Sequence, residues 1–183
     1  MKTQEELRSQ MREQLLDQKR EVRSERSWKI AEKVLHLPQF QKANVVHFYV
    51  SLPSEVDTEM LIDRALGLGK RIILPCSDFQ NKILHWYEIK SRAHDLKRAS
   101  SGIFEPNKEL ARKFNENVEC VFVPGIVFDK NNNRVGRGAG FYDRFLSKLR
   151  PDARKVGLAF SFQVVPEIPV NSHDIKMDEV ITD

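Results

Sequence analysis

Residues 45–75 read VVHFYVSLPSEVDTEMLIDRALGLGKRIILP, and this stretch decides the fold class. Val45–Leu52 and Arg71–Pro75 are short β-branched and aromatic runs, apolar enough for strands covered on both faces. Between them Leu61/Ala65 and Ile62/Leu66 recur at helical spacing, with Asp57 or Thr58 as N-cap and Gly67 or Gly69 as terminator. Strand, helix and strand in that order make a βαβ unit, whose right-handed crossover implies a parallel pair.

Working outward, Ile83–Ile89 (ILHWYEI), Glu119–Pro124 (ECVFVP) and Lys155–Phe160 (KVGLAF) carry the same strand signal. Upstream, residues 3–37 read as helix in two pieces. Leu7, Met11 and Leu15 form one stripe, and Ile30, Ala31, Val34 and Leu35 the other. Ser24 or Ser27 is the expected cap of the second piece and Pro38 its stop. The expectation is an α/β chain: a single three-layer α/β/α domain over residues 1–183 with a mostly parallel sheet, the basic helices of residues 1–37 packing on its core.

The composition agrees. Of 183 residues, 40% are hydrophobic and 31% charged, enough of each for a packed core and a solvated surface. No uncharged apolar run approaches the roughly 18–20 residues of a bilayer span. The start, MKTQEELRSQMREQ, is a charged helical pattern rather than a leader. Cys76 and Cys120 stand in no metal or redox spacing, which points to a reducing compartment and a cytoplasmic, membrane-free protein. The net charge is +4, but residues 130–155 hold eight Lys/Arg against two Asp, while the tail from Asn171 is acidic. Such a basic patch is either a solvated face or the seat of an anionic partner.

Val123–Leu149, VPGIVFDKNNNRVGRGAGFYDRFLSKL, favours the anion. Gly136, Gly138 and Gly140 alternate just before a helix pattern begun by Phe141, Phe145 and Leu149. Alternating glycines let backbone N–H groups converge on a ligand, and a helix start adds its dipole. Arg134, Arg137 and Arg144 supply charged donors for phosphate oxygens. The loop is neither G-x-x-x-x-G-K-[ST] nor a complete G-x-G-x-x-G with an acid about 20 residues on, so nicotinamide chemistry is disfavoured. G-x-S-x-G, H-E-x-x-H and paired Cys motifs are also missing from the sequence.

VPGIVFDKNNNRVGRGAGFYDRFL resembles the signature of the 5-formyltetrahydrofolate cyclo-ligase (5,10-methenyltetrahydrofolate synthetase) family. YVSLPSEVDT at 49–58, GIFEP at 102–106 and IPVNSHDIKMDEVIT near the end extend the resemblance over nearly the whole chain. The resemblance implies a monomeric ATP-dependent ligase acting on 5-formyltetrahydrofolate, with Mg²⁺ and no nucleic-acid partner. It also implies a fold similar to that of sugar-phosphate isomerases and CoA-transferases. Carried over by motif, Arg134, Val135, Gly136, Arg137, Gly138, Ala139, Gly140, Phe141 and Tyr142 form the ATP loop, with Arg137 and Tyr142 catalytic. Arg137 through Phe141 also face the folate, joined by Val50 and Glu55, and Asp143 and Asp174 hold the metal.

Relatives carry K-x-x-x-R on the first helix. The best register gives Arg8 and Arg12, which the resemblance implies are ATP-binding, with Arg20 following; the shifted register Gln4/Arg8 lacks the first cation. Asn133 replaces a glycine, tolerable because Asn accepts positive φ. Ala139 stands where many relatives have Gly or Lys, and Phe141 where many have Tyr. His47, His85 and His94 lack ligand spacing and read as packed or surface residues. Trp28 reads as helix packing, and Trp86 as core or pocket lining. Two other readings stay open: an isomerase-like enzyme on the same fold, with Glu55 or Asp143 as base, and a nucleic-acid-binding module on the basic patch.

Overall fold

The computed structural model describes residues 2–99 and 102–183. A seven-stranded sheet forms its centre. In chain order its strands are β1 (Val45–His47), β2 (Arg71–Asp78), β3 (Ile83–Ile89), β6 (Arg112–Lys113), β7 (Cys120–Pro124), β10 (Arg154–Leu158) and β12 (Glu179–Ile181). In space the order is β12-β10-β7-β1-β2-β3-β6. The run from β12 to β2 is parallel, and β3 and β6 add an antiparallel edge. Helix α4 (Glu59–Gly67) joins β1 to β2, so the expected βαβ unit is present.

Alternation along the strands separates two apolar faces. Val46, Ile72, Leu74, Phe122 and Leu158 belong to one cluster. It is covered by α1 (Gln4–Leu16), α2 (Arg20–Leu35), α3 (Pro38–Lys42) and α4, through Met11, Ile30, Val34, Phe40, Leu61 and Ile62. Phe48 stacks on Phe122 at 4.7 Å, and Phe40 meets both edge-on. Each such fully buried side chain stabilises the fold by about 1.5–3 kcal/mol. Val45, Ile73, Val121 and Val123 face the other way, under Phe114, Met177 and α6 (Phe141–Leu146). The architecture is three-layered, with one face far more heavily helical than the other.

Several local expectations change. Helix α2 begins at Arg20 with Lys19 as N-cap and no side-chain cap bond. Ser27 is instead buried in mid-helix, and its Oγ accepts the Asp57 N–H at 3.0 Å. Pro38 opens α3, a position that needs no N–H. Strand β1 stops at His47 because residues 49–58 bond among themselves: Thr58 Oγ1 donates to the Tyr49 carbonyl and the Tyr49 hydroxyl to the Val56 carbonyl. Trp28 is 55% exposed rather than packed, whereas His47 is fully buried and Trp86 packs on it and on Phe145.

A small sheet presents the glycine loop. Strands β8 (Val127–Asp129) and β9 (Arg134–Val135) pair antiparallel, and β11 (Val164–Val165) lies parallel beside β8. Asp129, 1% exposed, organises the turn by accepting the N–H groups of Asn131 and Asn133 and the Asn133 amide. The positive φ falls on Asn132 rather than Asn133. The acidic tail supplies β12 and pairs with two of the eight cations of the basic stretch, Asp178 with Lys155 and Glu179 with Arg154. No described helix is long and apolar enough to cross a membrane.

Candidate active site

Beyond the carboxyl ends of β1 and β7 the chain leaves the sheet as loop 48–58 and as the segment leading to the glycine loop. This is where ligands sit in open parallel sheets. The two loops, the first turns of α1, the β2–β3 hairpin, the strand β5 (Phe104–Pro106) and residues 171–174 enclose a cleft of about 440 Å³. Val50, Glu55, Arg134, Gly136, Arg137, Gly138, Ala139, Gly140, Phe141, Tyr142, Asp143 and Asp174 line it, so most of the motif residues converge there.

Arg137 reaches across the cleft to Glu55. Its Nε and Nη2 lie 3.1 and 2.9 Å from Glu55 Oε1, while Oε2 accepts the Leu52 N–H at 2.9 Å. The Glu55 side chain is 9% exposed and that of Arg137 45%, so the carboxylate is fixed and the guanidinium is accessible. Gly138 turns with φ +103°, a conformation L side chains rarely adopt, and this keeps the loop low over the cleft.

Arg134, expected as a phosphate donor, lines the floor of the cleft. It is buried beneath the loop, its Nη2 paired with Asp143 at 2.7 Å and its Nη1 donating to the Pro124 carbonyl. The Gly136 backbone passes so close that an added Cβ would stand 2.6 Å from Arg134 Nη1. Arg134 therefore braces the loop from below. Val135 likewise turns its side chain into the core, 1% exposed, and Arg144 is occupied by the carbonyls of Lys82 and Ala139. With only six residues, α6 adds little dipole, so the site's positive field rests on guanidinium groups.

The first helix meets the cleft through the shifted register. Gln4 and Arg8 line it, whereas Arg12 stands at the rim and donates to the Arg137 carbonyl at 3.2 Å. Arg8 Nε donates to the Gly136 carbonyl at 2.9 Å and its Nη2 to Gln4 Oε1 at 3.0 Å. Gln4 Nε2 continues the chain to Asp174 Oδ2 at 2.8 Å. Sequence reasoning prefers Arg8 and Arg12 and offers Gln4 with Arg8 only as the alternative, and it does not mark the lining residues Phe79, Phe104 and His173. The i, i+4 pairing of Gln4 with Arg8 was the one signal available for that alternative.

Asp143 and Asp174 are each held through a single oxygen. All hydrogen bonds to Asp143 fall on Oδ1 and all those to Asp174 on Oδ2. The other oxygen of each accepts no hydrogen bond from the described residues, with His173 Nε2 4.0 Å from Asp174 Oδ1, and is the one a bound hard cation would use. Among the described residues no cluster of three or more His, Cys, Asp or Glu forms a metal site by itself, so water and phosphate oxygens would complete the shell. Tyr142 places its hydroxyl in a buried position with no hydrogen-bond partner among the described residues; burial, then the Glu55 charge, pushes its pKa well above the usual tyrosine range.

The family model described as the 5-formyltetrahydrofolate cyclo-ligase family matches residues 1–183. The mouse 5-formyltetrahydrofolate cyclo-ligase is 31% identical over 96% of this chain and 91% of its own length. A probable 5-formyltetrahydrofolate cyclo-ligase of Schizosaccharomyces pombe is 32% identical over 84% of this chain and 81% of its own. The structure of Aquifex aeolicus 5,10-methenyltetrahydrofolate synthetase superposes with a TM-score of 0.84 at 32% identity, covering 97% of this chain and 88% of that one. The cleft built by Glu55, the glycine loop and the first helix thus sits in a chain that belongs to the 5-formyltetrahydrofolate cyclo-ligase family.

Proposed function

We propose that this protein converts 5-formyltetrahydrofolate and MgATP to 5,10-methenyltetrahydrofolate, ADP and phosphate, residues 1–183 acting as one catalytic unit. Beyond family membership, the observation that carries the reading is the juxtaposition of Arg137 and Glu55: a phosphate-type loop and a fixed carboxylate meet across one cleft. The two alternatives lose their footing, because the enzyme family is established and the basic stretch is largely paired by carboxylates and carbonyls.

An N-formyl oxygen is a poor leaving group. In the proposed reaction it attacks the γ-phosphorus and ADP departs. The formyl carbon, now bearing a phosphate leaving group, is attacked by N10 of the same folate. Phosphate leaves, the N10 proton is lost, and the N5–CH–N10 bridge remains. Intramolecular attack requires no protein nucleophile, only placement. Glu55 is suited to accept hydrogen bonds from pterin N–H groups. The loop amides from Gly136 to Phe141, Arg137 and Arg8 are suited to the phosphates, where developing charge is stabilised by fixed donors. Tyr142 lines the cleft, and its buried hydroxyl, unpaired among the described residues, would be free to bond the reacting group once the site rearranges around substrate. Asp143 and Asp174 would hold Mg²⁺, which would supply charge neutralisation on the phosphate oxygens.

The test is to mix purified protein with 5-formyltetrahydrofolate and MgATP and follow the near-ultraviolet band of the methenyl product. Product that requires both ATP and Mg²⁺, and falls at least about 100-fold in Arg137→Ala, is expected for loss of a charged donor to the transferring group. Nucleotide binding without product would discard the folate chemistry.

A further inference from the structure

Asp174 sits on a strap between β11 and β12 that contains no helix or strand, so side chains have to hold it in place. Gln4 anchors the middle of the strap, donating to the Pro169 carbonyl at 2.9 Å and to Asp174 itself at 2.8 Å. The two ends are anchored on the turn between β8 and β9. There the Ile168 N–H donates to Asp129 Oδ2 at 3.2 Å, and the Met177 N–H to the Asn132 carbonyl at 2.9 Å. Ile168 and Met177 are each 2% exposed, so both anchors are shielded from water. A loop-borne ligand is only as well placed as the bonds that lock it.

Asp129 serves the other carboxylate from the same position. Its Oδ1 accepts the Asn131 and Asn133 N–H groups, both at 2.9 Å, and its Oδ2 also accepts the Asn133 side-chain amide at 2.9 Å. The next residue is Arg134, whose guanidinium holds Asp143 at 2.7 Å. One buried carboxylate is thus the common origin of two arms. One runs through Asn133 and Arg134 to Asp143, the other through Ile168 to Asp174.

Mg²⁺ is strict about geometry, and two carboxylates from separate loops bind it well only when their spacing is set beforehand. We propose that Asp129 is a positioning residue for the metal, which touches neither nucleotide nor cation and sets the separation of Asp143 and Asp174. This rests on the MgATP reading above. The role requires a carboxylate. An amide in its place could accept the two turn N–H groups through its oxygen. Its NH₂ would then face the Ile168 N–H and the Asn133 amide, donor against donor. Asp129→Asn therefore cuts the arm to Asp174.

The test reads two quantities that a general role in folding would move together. One is the urea midpoint; the other is the Mg²⁺ concentration that half-maximally strengthens ADP binding in calorimetry. Asn133→Ala removes one donor of the turn and leaves the Ile168 anchor whole. Its midpoint should fall while its Mg²⁺ requirement stays within about two-fold of wild type. The double variant Asp129→Asn/Asn133→Asp exchanges donor and acceptor inside the turn, so its midpoint should recover relative to Asp129→Asn alone. The Ile168 N–H still meets an amide nitrogen there. The Mg²⁺ requirement should therefore stay raised about ten-fold, the usual loss for a group that orients metal ligands. ADP affinity in EDTA should match wild type in all three variants. A Mg²⁺ requirement that follows the urea midpoint across the variants, or an equal loss of ADP affinity in EDTA and in Mg²⁺, would overturn the inference and leave the MgATP reading intact. Wild-type ADP binding that is indifferent to Mg²⁺ would overturn the metal reading together with it.

Discussion

Arg137 Nε and Nη2 both converge on Oε1 of Glu55, at 3.1 and 2.9 Å, so the cation assigned to phosphate and the carboxylate assigned to pterin are bound to each other. Neither can serve its ligand fully until the pair opens. On the proposed function, pterin N–H groups arriving at Glu55 would compete with Arg137 and release it towards the nucleotide. Glu55→Gln removes the charge that holds Arg137, and partly exposed pairs of this kind are worth up to about 1 kcal/mol. Nucleotide affinity measured without folate is expected to rise about three- to five-fold in Glu55→Gln, while the KM for 5-formyltetrahydrofolate increases. Unchanged ADP affinity in calorimetry would show that the pair does not restrain Arg137.

The two candidate metal carboxylates should separate when mutated. Asp143, 18% exposed, is the partner of Arg134, whose side chain is only 3% exposed, so Asp143→Asn leaves a buried guanidinium without its counter-charge. Breaking such a pair costs about 3–5 kcal/mol, or on the order of 10 °C in Tm for a chain of this size. Asp174 accepts hydrogen bonds from Gln4 and Asn171, neutral groups that tolerate an amide in its place, and the exposed His173 lies 4.0 Å from its other oxygen. Asp174→Asn is expected to raise the Mg²⁺ concentration needed for half-maximal rate while moving Tm by less than about 2 °C. Equal Tm losses in the two variants would contradict the brace assigned to Arg134.

Tyr142 gives a test with opposite signs in stability and rate. A buried hydroxyl without a partner carries an uncompensated desolvation cost of about 1–3 kcal/mol. Tyr142→Phe should leave the unfolding free energy unchanged or raise it by about 1 kcal/mol. The same substitution should lower kcat about ten-fold if the hydroxyl finds its partner in the substrate complex. A kcat equal to wild type would reassign Tyr142 to packing against Arg134, whose guanidinium lies 5.8 Å from its ring centroid.

The parts of the molecule legible in the sequence were those set by local chemistry. Leu61, Ile62 and Ala65 declare α4 by their spacing, and the apolar runs of β1, β2 and β7 declare a buried parallel sheet. The alternating glycines located the loop because positive φ and close backbone approach leave little choice of residue. Distances between segments were not legible. Nothing local distinguishes Arg134 from Arg137, yet Asp143 and the Gly136 backbone enclose the first while Glu55 meets the second. Ser27 looked like a cap until tertiary contact placed it against Asp57. Phe79 has no periodic neighbours to mark it, and it lines the cleft because the fold sets it against Phe141, 62 residues away in the chain.

His47 sits beneath the site on β1, fully buried between Trp86, Tyr142 and Phe145. Burial pushes its pKa down to about 3, against a smaller opposing effect of the Phe122 backbone, so the folded protein holds it neutral. The unfolded chain protonates it near the ordinary value of about 6.5. Between those two values the unfolded state binds more protons than the folded one, so stability rises with pH. This contribution is complete above about pH 6.5. It is lost as pH falls below that value, at up to about 1.4 kcal/mol per pH unit. Urea unfolding at pH 7 and pH 5 should therefore show a smaller loss on acidification in His47→Phe than in wild type, by about 2 kcal/mol. Equal acid losses in the two proteins would mean that His47 finds a way to carry a proton in the folded state.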